Sequence, residues 1–349
     1  MCIPTHLAAG GMNSAFAAVA LAGDGAEFWR RDLGYRAHDV IADPARGVCA
    51  IVGRKPGPMV MLCELGSGAF LRGLGPLPNC SFDGHAVFSA DGSQLYTTQS
   101  EGRAQLGHIG VYEVATGALR DSFSTHGIEP HELLWSADGC DLIIGNGGIV
   151  DRNATDPINS SLVHLAAASG ALRHKTVLDE SLETLSLRHL ARLHDGCIAF
   201  GAQDQDPATD LRPLVGIIDA AAQVVFLDLP RDVHRRMAGY IGSVAVDGAG
   251  RVICATAPRG GLAAFWSGDD GRYLGMVELA DTCGVAGAGA DGEFLLTSGH
   301  GRRVQVRVNG SAIAVGEAHP ADPLQWDNHL SFVRVGSPPV PAHRKQPAP

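Results

Sequence analysis

The sequence predicts an all-β protein, a seven-bladed β-propeller whose last blade is closed by strands from both termini. Three observations predict it. An apolar hairpin recurs every 41–58 residues, each interval holds about four strand-length segments, and the last copy runs out of chain while spare strands stand at the N-terminus.

The hairpin is clearest in EPHELLWSADGCDLIIGNGG, residues 129–148. A histidine precedes a short apolar run, Asp-Gly supplies the backbone angles of a tight turn, and a second apolar run returns. Relatives occur in AHDVIADPARGVCAIVGRKPG with His38, GHAVFSADGSQLYTTQSEG with His85 and RHLARLHDGCIAFGAQDQ with His189. GSVAVDGAGRVICATAPRGG places Ser243 there, CGVAGAGADGEFLLTSGHG places Gly284 after Cys283, and WDNHLSFVRV ends the series with His329. The aligned positions 38, 85, 131, 189, 243, 284 and 329 are separated by 47, 46, 58, 54, 41 and 45 residues. Second hairpins such as HIGVYEVATGALRDSFS and PLVGIIDAAAQVVFLDL lie between them, which completes four strands per repeat. Helical periodicity over a dozen residues is missing from these intervals.

His329 leads the innermost strand of a blade that has no sequence left to finish it. THLAA, AFAAVALAG and AEFWRRD near the N-terminus are the missing strands, and pairing them with the C-terminal strand leaves the ring no open edge. One domain is therefore expected over residues 1–335, followed by a Pro-rich, disordered tail over 336–349.

Composition narrows the function. The chain has 349 residues, 45% hydrophobic and 18% charged, so a large core is available. Its 45 glycines and 19 prolines suit many tight turns. A net charge of −10 without a basic cluster argues against nucleic acid and anionic membrane surfaces. No apolar run is long enough for a transmembrane helix. The N-terminus lacks the charged start and apolar block of a signal peptide, and the Arg30-Arg31 pair follows strand-like sequence. The eight cysteines never form Cys-x-x-Cys, which removes zinc-ribbon and thioredoxin-like readings.

In a propeller the first strand of each blade lines the central channel. Five of the seven aligned positions are histidine, although the chain has only 15 histidines in 349 residues. Chance placement, allowing for choice of register, is on the order of 10⁻⁴, so the pattern belongs to the repeat. His38, His85, His131, His189 and His329 should form a ring of imidazoles at one channel mouth. Such rings repel when protonated, which favours neutral nitrogen donors for a transition metal, with iron or copper expected. Two or three adjacent rings are the expectation for one ion. Asp39, Asp83, Glu132, Asp281 and Asp327 flank the ring and could ligate or orient it. The return strands end on the same face with Arg54, Glu101, Asn146, Gln203 beside Asp204, Arg259 and His300. With Arg188 and Cys283 they form a candidate ligand-binding circle. Arg54, Arg188 and Arg259 would suit an anion or anionic metal chelate. A structural reading stands beside each: histidines can cap strands or bridge blades, Arg54 and Arg259 can pin turns, and Cys283 can be a buried thiol. The Asp-Gly pairs at 91–92, 138–139, 195–196 and 291–292 read as turn chemistry.

RAHDV, GRKPG, DGHAVFSADGSQLYTT, GIEPHELLWSADG, NGGI, LSLRHLA, YIGSVAVD, PRGG, CGVA, TSGHG and WDNHL together resemble the domain-of-unknown-function 1513 family over about residues 12–335. The resemblance implies a bacterial propeller of the YVTN/quinoprotein-like type, exported to the periplasm and encoded near imelysin-like iron-regulated proteins and di-haem peroxidase-like proteins. It carries no catalytic residue over. The absent export signal departs from the family and implies a start assigned too far downstream, or a cytoplasmic protein if the start is genuine. The combined expectation is a monomeric periplasmic protein that binds a metal ion or small anionic chelate as an accessory to iron uptake, beside imelysin-like partners. The alternatives are a metal-dependent oxidoreductase or hydrolase on the same face, with Glu132 or Asp39 as base, and a metal-free protein-docking scaffold.

Overall fold

A computed structural model describes residues 4–12, 15–23, 25–151, 158–206, 211–319 and 321–333. The expected tail at 336–349 lies outside the described residues. Among the described residues twenty-eight strands form seven four-stranded antiparallel sheets, the blades of a β-propeller. Six blades are sequential hairpin meanders, beginning with inner strands Ala37–Asp43, Cys80–Phe88, Pro130–Trp135, Leu185–Arg192, Ser243–Val246 and Thr282–Gly287. They are numbered 1 to 6 in that order. Blade 7 takes its inner strand from the C-terminal Gln325–Phe332 and its others from His6–Met12, Ala15–Leu21 and Glu27–Leu33.

Alternation along each strand puts one set of apolar side chains on each blade face, and neighbouring blades bury those faces together. Each of the seven buried apolar clusters fills one of the seven blade interfaces. The ring is closed by packing on both sides of blade 7. Leu7 and Ala20 meet Val40 and Ile51 of blade 1, while Val19 and Trp326 meet Ala286 and Leu295 of blade 6. Burying a Leu, Ile or Phe side chain contributes about 1.5–3 kcal/mol, so every interface is a core in its own right.

The longest intervals reflect insertions above the channel. Between blades 4 and 5 runs the short helix Arg231–Arg236, anchored by Val233 and Met237 in the interface core. It delivers Tyr240 to the top of the channel. The stretch after the second strand of blade 3 delivers Ile149 and Val150 there. The Asp-Gly turns close the opposite, lower face. At Gly92 φ is +65°, and Asp91 accepts hydrogen bonds from Ser89 Oγ at 2.6 Å and the Ser93 amide at 3.0 Å.

Candidate metal centre

Regular alternation would send neighbouring inner-strand residues to opposite blade faces, and neither to the axis. A local break in register does so instead. Pairing between inner and second strands shifts between Ala37 and Asp39, Phe82 and Ala86, Pro130 and Leu133, Leu187 and His189, and Thr282 and Val285. Blade 7 shifts between Ala8 and Gly10, opposite 326–330. Blade 5, whose aligned residue is Ser243, pairs without a shift. All five aligned histidines therefore sit at or beside a β-bulge, a device that re-aims a side chain. Threonine hydroxyls satisfy the bulged backbone. Thr98 Oγ1 donates to the His85 carbonyl at 3.3 Å and to the His131 carbonyl of the next blade at 3.0 Å.

The five imidazoles converge. Ring centroids of His38 and His329 lie 4.5 Å apart, His85 and His329 4.5 Å, His85 and His131 4.7 Å, and His131 and His189 5.0 Å. Gly84 makes room for this approach: its φ is +110°, and a Cβ there would lie 2.4 Å from His38 Cδ2. One ligand atom from each of His38, His85, His131 and His329 lies within 4.8 Å of all the others, and His85, Glu132 and His189 form a second such set. Four rings thus come within reach of one ion, more than the two or three expected. A tetrahedral ion held at about 2.0–2.1 Å would space its ligands about 3.4 Å apart, so these atoms would have to draw closer to hold one.

The cluster lies inside the channel and not at its mouth, which corrects the sequence expectation. His85 is 1% exposed and His189 0%. The bulges fall partway down the inner strands, so chambers open on both sides. The upper, of about 450 Å³, meets His38, His131 and His189 and holds Arg54, Lys55, Asp83, Glu129 and Arg188. The lower, of about 460 Å³, meets His85 and His329 and holds Asp39 and Glu132.

Burial and crowding set the protonation states. Burial lowers His38 to about 4, against a smaller pull upward from Asp327. Burial, then the charges of neighbouring imidazoles and arginines, holds His131, His189 and His329 well below the ordinary value. His85 is the exception. Burial would lower it, but Asp39, Glu132 and Asp83 together outweigh burial and raise it. Asp39 Oδ2 lies 3.5 Å from His85 Nδ1. Burial pushes Glu132 up to about 7 and Asp83 up to about 6. Among the five axial imidazoles six ring nitrogens are buried without a hydrogen-bond partner: both nitrogens of His38 and His189, and Nε2 of His85 and His329. Each such orphan costs about 1–3 kcal/mol. Desolvated, convergent imidazole nitrogens, neutral at His38, His131, His189 and His329, are a donor set that could hold a transition metal.

The remaining residues of the expected circle divide. Arg54 and Arg188 line the upper chamber: Arg54 Nη1 donates to Asp327 Oδ1 at 2.9 Å, and Arg188 Nη2 to Glu129 Oε2 at 2.8 Å. Gln203 reaches the chamber wall and donates to the Ile241 carbonyl at 3.2 Å. Asp327 also accepts from Arg36 Nε at 2.7 Å. His38 and the arginines hold its carboxyl low against the upward effect of burial. Cys283 and His300 line a side pocket with Asp327, and the Cys283 thiol donates to the Asp281 carbonyl at 3.1 Å.

Three residues lie elsewhere. Glu101 pairs with His108 at 3.0 Å in a separate pocket with His126 and Lys175, because its strand ends beside the third strand of blade 2. Asn146 is buried and donates to Thr125 O and Ser161 Oγ, joining blade strands. Arg259 lies over the Tyr240 ring at 4.5 Å and donates to the Ala238 carbonyl.

Lys55 and Glu129 were not singled out from sequence. Lys55 Nζ lies 3.4 Å from Asp83 Oδ1, 3.5 Å from Glu129 Oε1 and 3.2 Å from Ser100 Oγ. Glu129 is buried at φ +53°, a rare conformation for a side-chain-bearing residue. The signals available were position alone: Lys55 follows Arg54, and Glu129 precedes Pro130-His131.

A family model described as "Protein of unknown function (DUF1513)" matches residues 31–333. A search of curated proteins gives no match. Among solved structures, "Kuenenia stuttgartiensis Hydrazine Synthase" is similar with a TM-score of 0.61 at 15% identity, over 88% of this chain and 90% of that one. "Crystal Structure of Mitotic Checkpoint Complex" is similar with a TM-score of 0.59 at 16% identity, over 79% of this chain and 77% of that one. At such identities the likeness shows the propeller fold alone. No helix among the described residues is long and apolar enough to cross a membrane. The chain belongs to the DUF1513 family.

Proposed function

We propose that this DUF1513 protein binds one first-row transition-metal ion on the propeller axis through His38, His85, His131 and His329, with His189 adjoining. The observation that carries the reading is the convergence of four imidazoles, each with a ligand atom within 4.8 Å of the others, Nε2 of His38, His85 and His329 being buried without a hydrogen-bond partner. An all-imidazole donor set suits Cu, Zn, Ni or Fe, and iron or copper remain the expected cargo. The upper chamber adds room for a small anionic co-ligand or chelate beside the ion, with Arg54 and Lys55 at hand. A monomeric periplasmic protein serving iron uptake alongside imelysin-like proteins extends this reading, on the strength of the family resemblance.

The test is metal content. Protein purified without an affinity tag and dialysed against each divalent metal should retain close to one ion per chain. The His85→Ala/His131→Ala/His189→Ala variant should retain none while keeping its β-sheet circular dichroism. Equal metal content in the two proteins contradicts the reading.

A second reading, metal-dependent hydrolysis, is favoured by Asp83. It is buried, raised to about 6, and lines the upper chamber beside the imidazoles. Zinc-loaded protein should then hydrolyse an activated ester, and Asp83→Asn should lower kcat more than it changes metal content. The docking alternative has no single surface to rest on. Exposed large apolar side chains such as Phe70, Leu119, Leu172, Val225 and Val315 are spread over the outer strands of five blades.

A further inference from the structure

The two chambers hold carboxylates in opposite circumstances. In and beside the upper one, each is matched by a fixed cation: Asp83 by Lys55, Glu129 by Lys55 and Arg188, and Asp327 by Arg36 and Arg54. In the lower one, Asp39 and Glu132 pair with imidazoles, His85 and His189, each at 3.5 Å. Asp39 also accepts from Ser331 Oγ, and Glu132 from the Leu190 amide. Among the described residues neither carboxylate has a lysine or arginine ion-pair partner. Exposure is graded inward: the Glu132 side chain is 18% exposed, Asp39 10%, His85 2% and His189 1%.

A cation entering from above shares the chamber with Arg54, Lys55 and Arg188, which already neutralise Asp83 and Glu129 there and Asp327 beside it. Approaching from below, it meets two carboxylates that have no lysine or arginine ion-pair partner among the described residues, with exposed Arg192, which donates to the Trp135 and Ser136 carbonyls, on the same chamber wall. Glu132 then shares a ligand set with His85 and His189, while His85 also belongs to the four-imidazole set. We infer that metal is loaded from the lower face, landing on Glu132, His85 and His189 before His85 passes it to the four-imidazole position. The inference rests on the metal-binding reading above and adds a second ligand position, a direction and a route. The cargo at the landing position is a divalent first-row cation without its chelator, since an anionic complex is repelled by Asp39 and Glu132 and suits the upper chamber.

The test is stopped-flow association of Co²⁺ alone, followed by its visible absorption, with wild type, Glu132→Gln, Asp39→Asn and Glu101→Gln. Glu101 is a carboxylate outside the channel and serves as the control. Glu132→Gln should slow association about tenfold or more, Asp39→Asn should slow it less, and Glu101→Gln should match wild type. Removing a carboxylate that merely orients an imidazole would instead speed dissociation. An unchanged association rate in Glu132→Gln, with any loss confined to dissociation, overturns the route. If Glu132→Gln does not fold, by circular dichroism, Asp39→Asn decides: a wild-type association rate in it overturns the route. Failure of the wild-type protein to take up Co²⁺ would sink the metal-binding reading itself, so the two failures are distinct.

Discussion

The upper and lower chambers are separated only by five imidazoles, yet they are built on different electrostatic plans. Above, Arg188 and Glu129 form a buried pair at 2.8 Å and Lys55 bridges two carboxylates, a network that is balanced before any ligand arrives. Below, among the described residues, Asp39 and Glu132 pair with imidazoles and with no lysine or arginine, while Arg192 on the same wall donates to backbone carbonyls. A balanced wall holds shape, whereas an unbalanced one attracts a cation. The comparison teaches that one ring of histidines can serve two faces with separate duties.

The largest effect should come from the residue common to both ligand sets. His85→Ala removes a ligand from the four-imidazole set and from the Glu132 set together. Its metal affinity should fall by more than that of any other single histidine variant, measured by competition with a chromophoric chelator. An equal loss in His131→Ala would erase the special position given to His85.

Next is the upper network. Arg188→Met removes the 2.8 Å partner of buried Glu129, with Lys55 at 3.5 Å. Breaking a buried pair this way should destabilise by about 3 kcal/mol in chemical denaturation. Metal-free Glu132→Gln should lose far less, since no buried ion pair with a lysine or arginine is broken. Comparable losses would show that the two chambers are built alike.

The pH dependence of the metal-free protein follows from the imidazoles. His38 has a folded value of about 4 against an ordinary value of 6.5, so below 6.5 the unfolded chain binds the proton more readily. Stability is therefore full above pH 6.5 and lost as pH falls toward 4, by about 3 kcal/mol for His38. His131, His189 and His329 act in the same direction. His85, raised by its carboxylates, acts in the opposite one. His6, lowered to about 4 by burial between blades, adds a channel-independent share. Denaturation midpoints across this window should drop in wild type and drop less in His38→Gln. A flat profile would contradict neutral imidazoles at the axis.

A smaller loss is expected from Gly84→Ala. Its positive φ and the 2.4 Å approach of the new Cβ to His38 Cδ2 should cost about 1–3 kcal/mol. Metal affinity should fall with it because His38 must move. The smallest effect is a proton count. Metal binding should release protons at neutral pH, from the site containing His85, seen as buffer-dependent heats in calorimetry.

The fold was legible because the repeat is spelled out in apolar hairpins and Asp-Gly turns. Even the two-termini blade followed from matching the aligned His329 segment with the strand-like segments THLAA, AFAAVALAG and AEFWRRD at the other end of the sequence. The convergence of the five histidines was legible for the same reason: equivalent positions in a ring face one axis. Their depth was not. It depends on bulges at Ala37–Asp39 and Leu187–His189, whose register shifts leave no composition signal. Nor was the division of the second circle legible. Glu101 and Asn146 end return strands as Arg54 does, but point to His108 and Ser161 instead of the channel. Lys55 and Glu129 gain their meaning from partners on other blades, which spacing cannot reveal.

The central claim is that buried imidazoles on the propeller axis hold a metal ion. X-ray absorption spectroscopy of protein loaded with one equivalent of zinc tests it most directly. The account predicts a shell of nitrogen donors at about 2.0–2.1 Å with the outer-shell scattering of imidazole rings. A shell made of oxygen alone, or zinc removed by a simple desalting column, would contradict it.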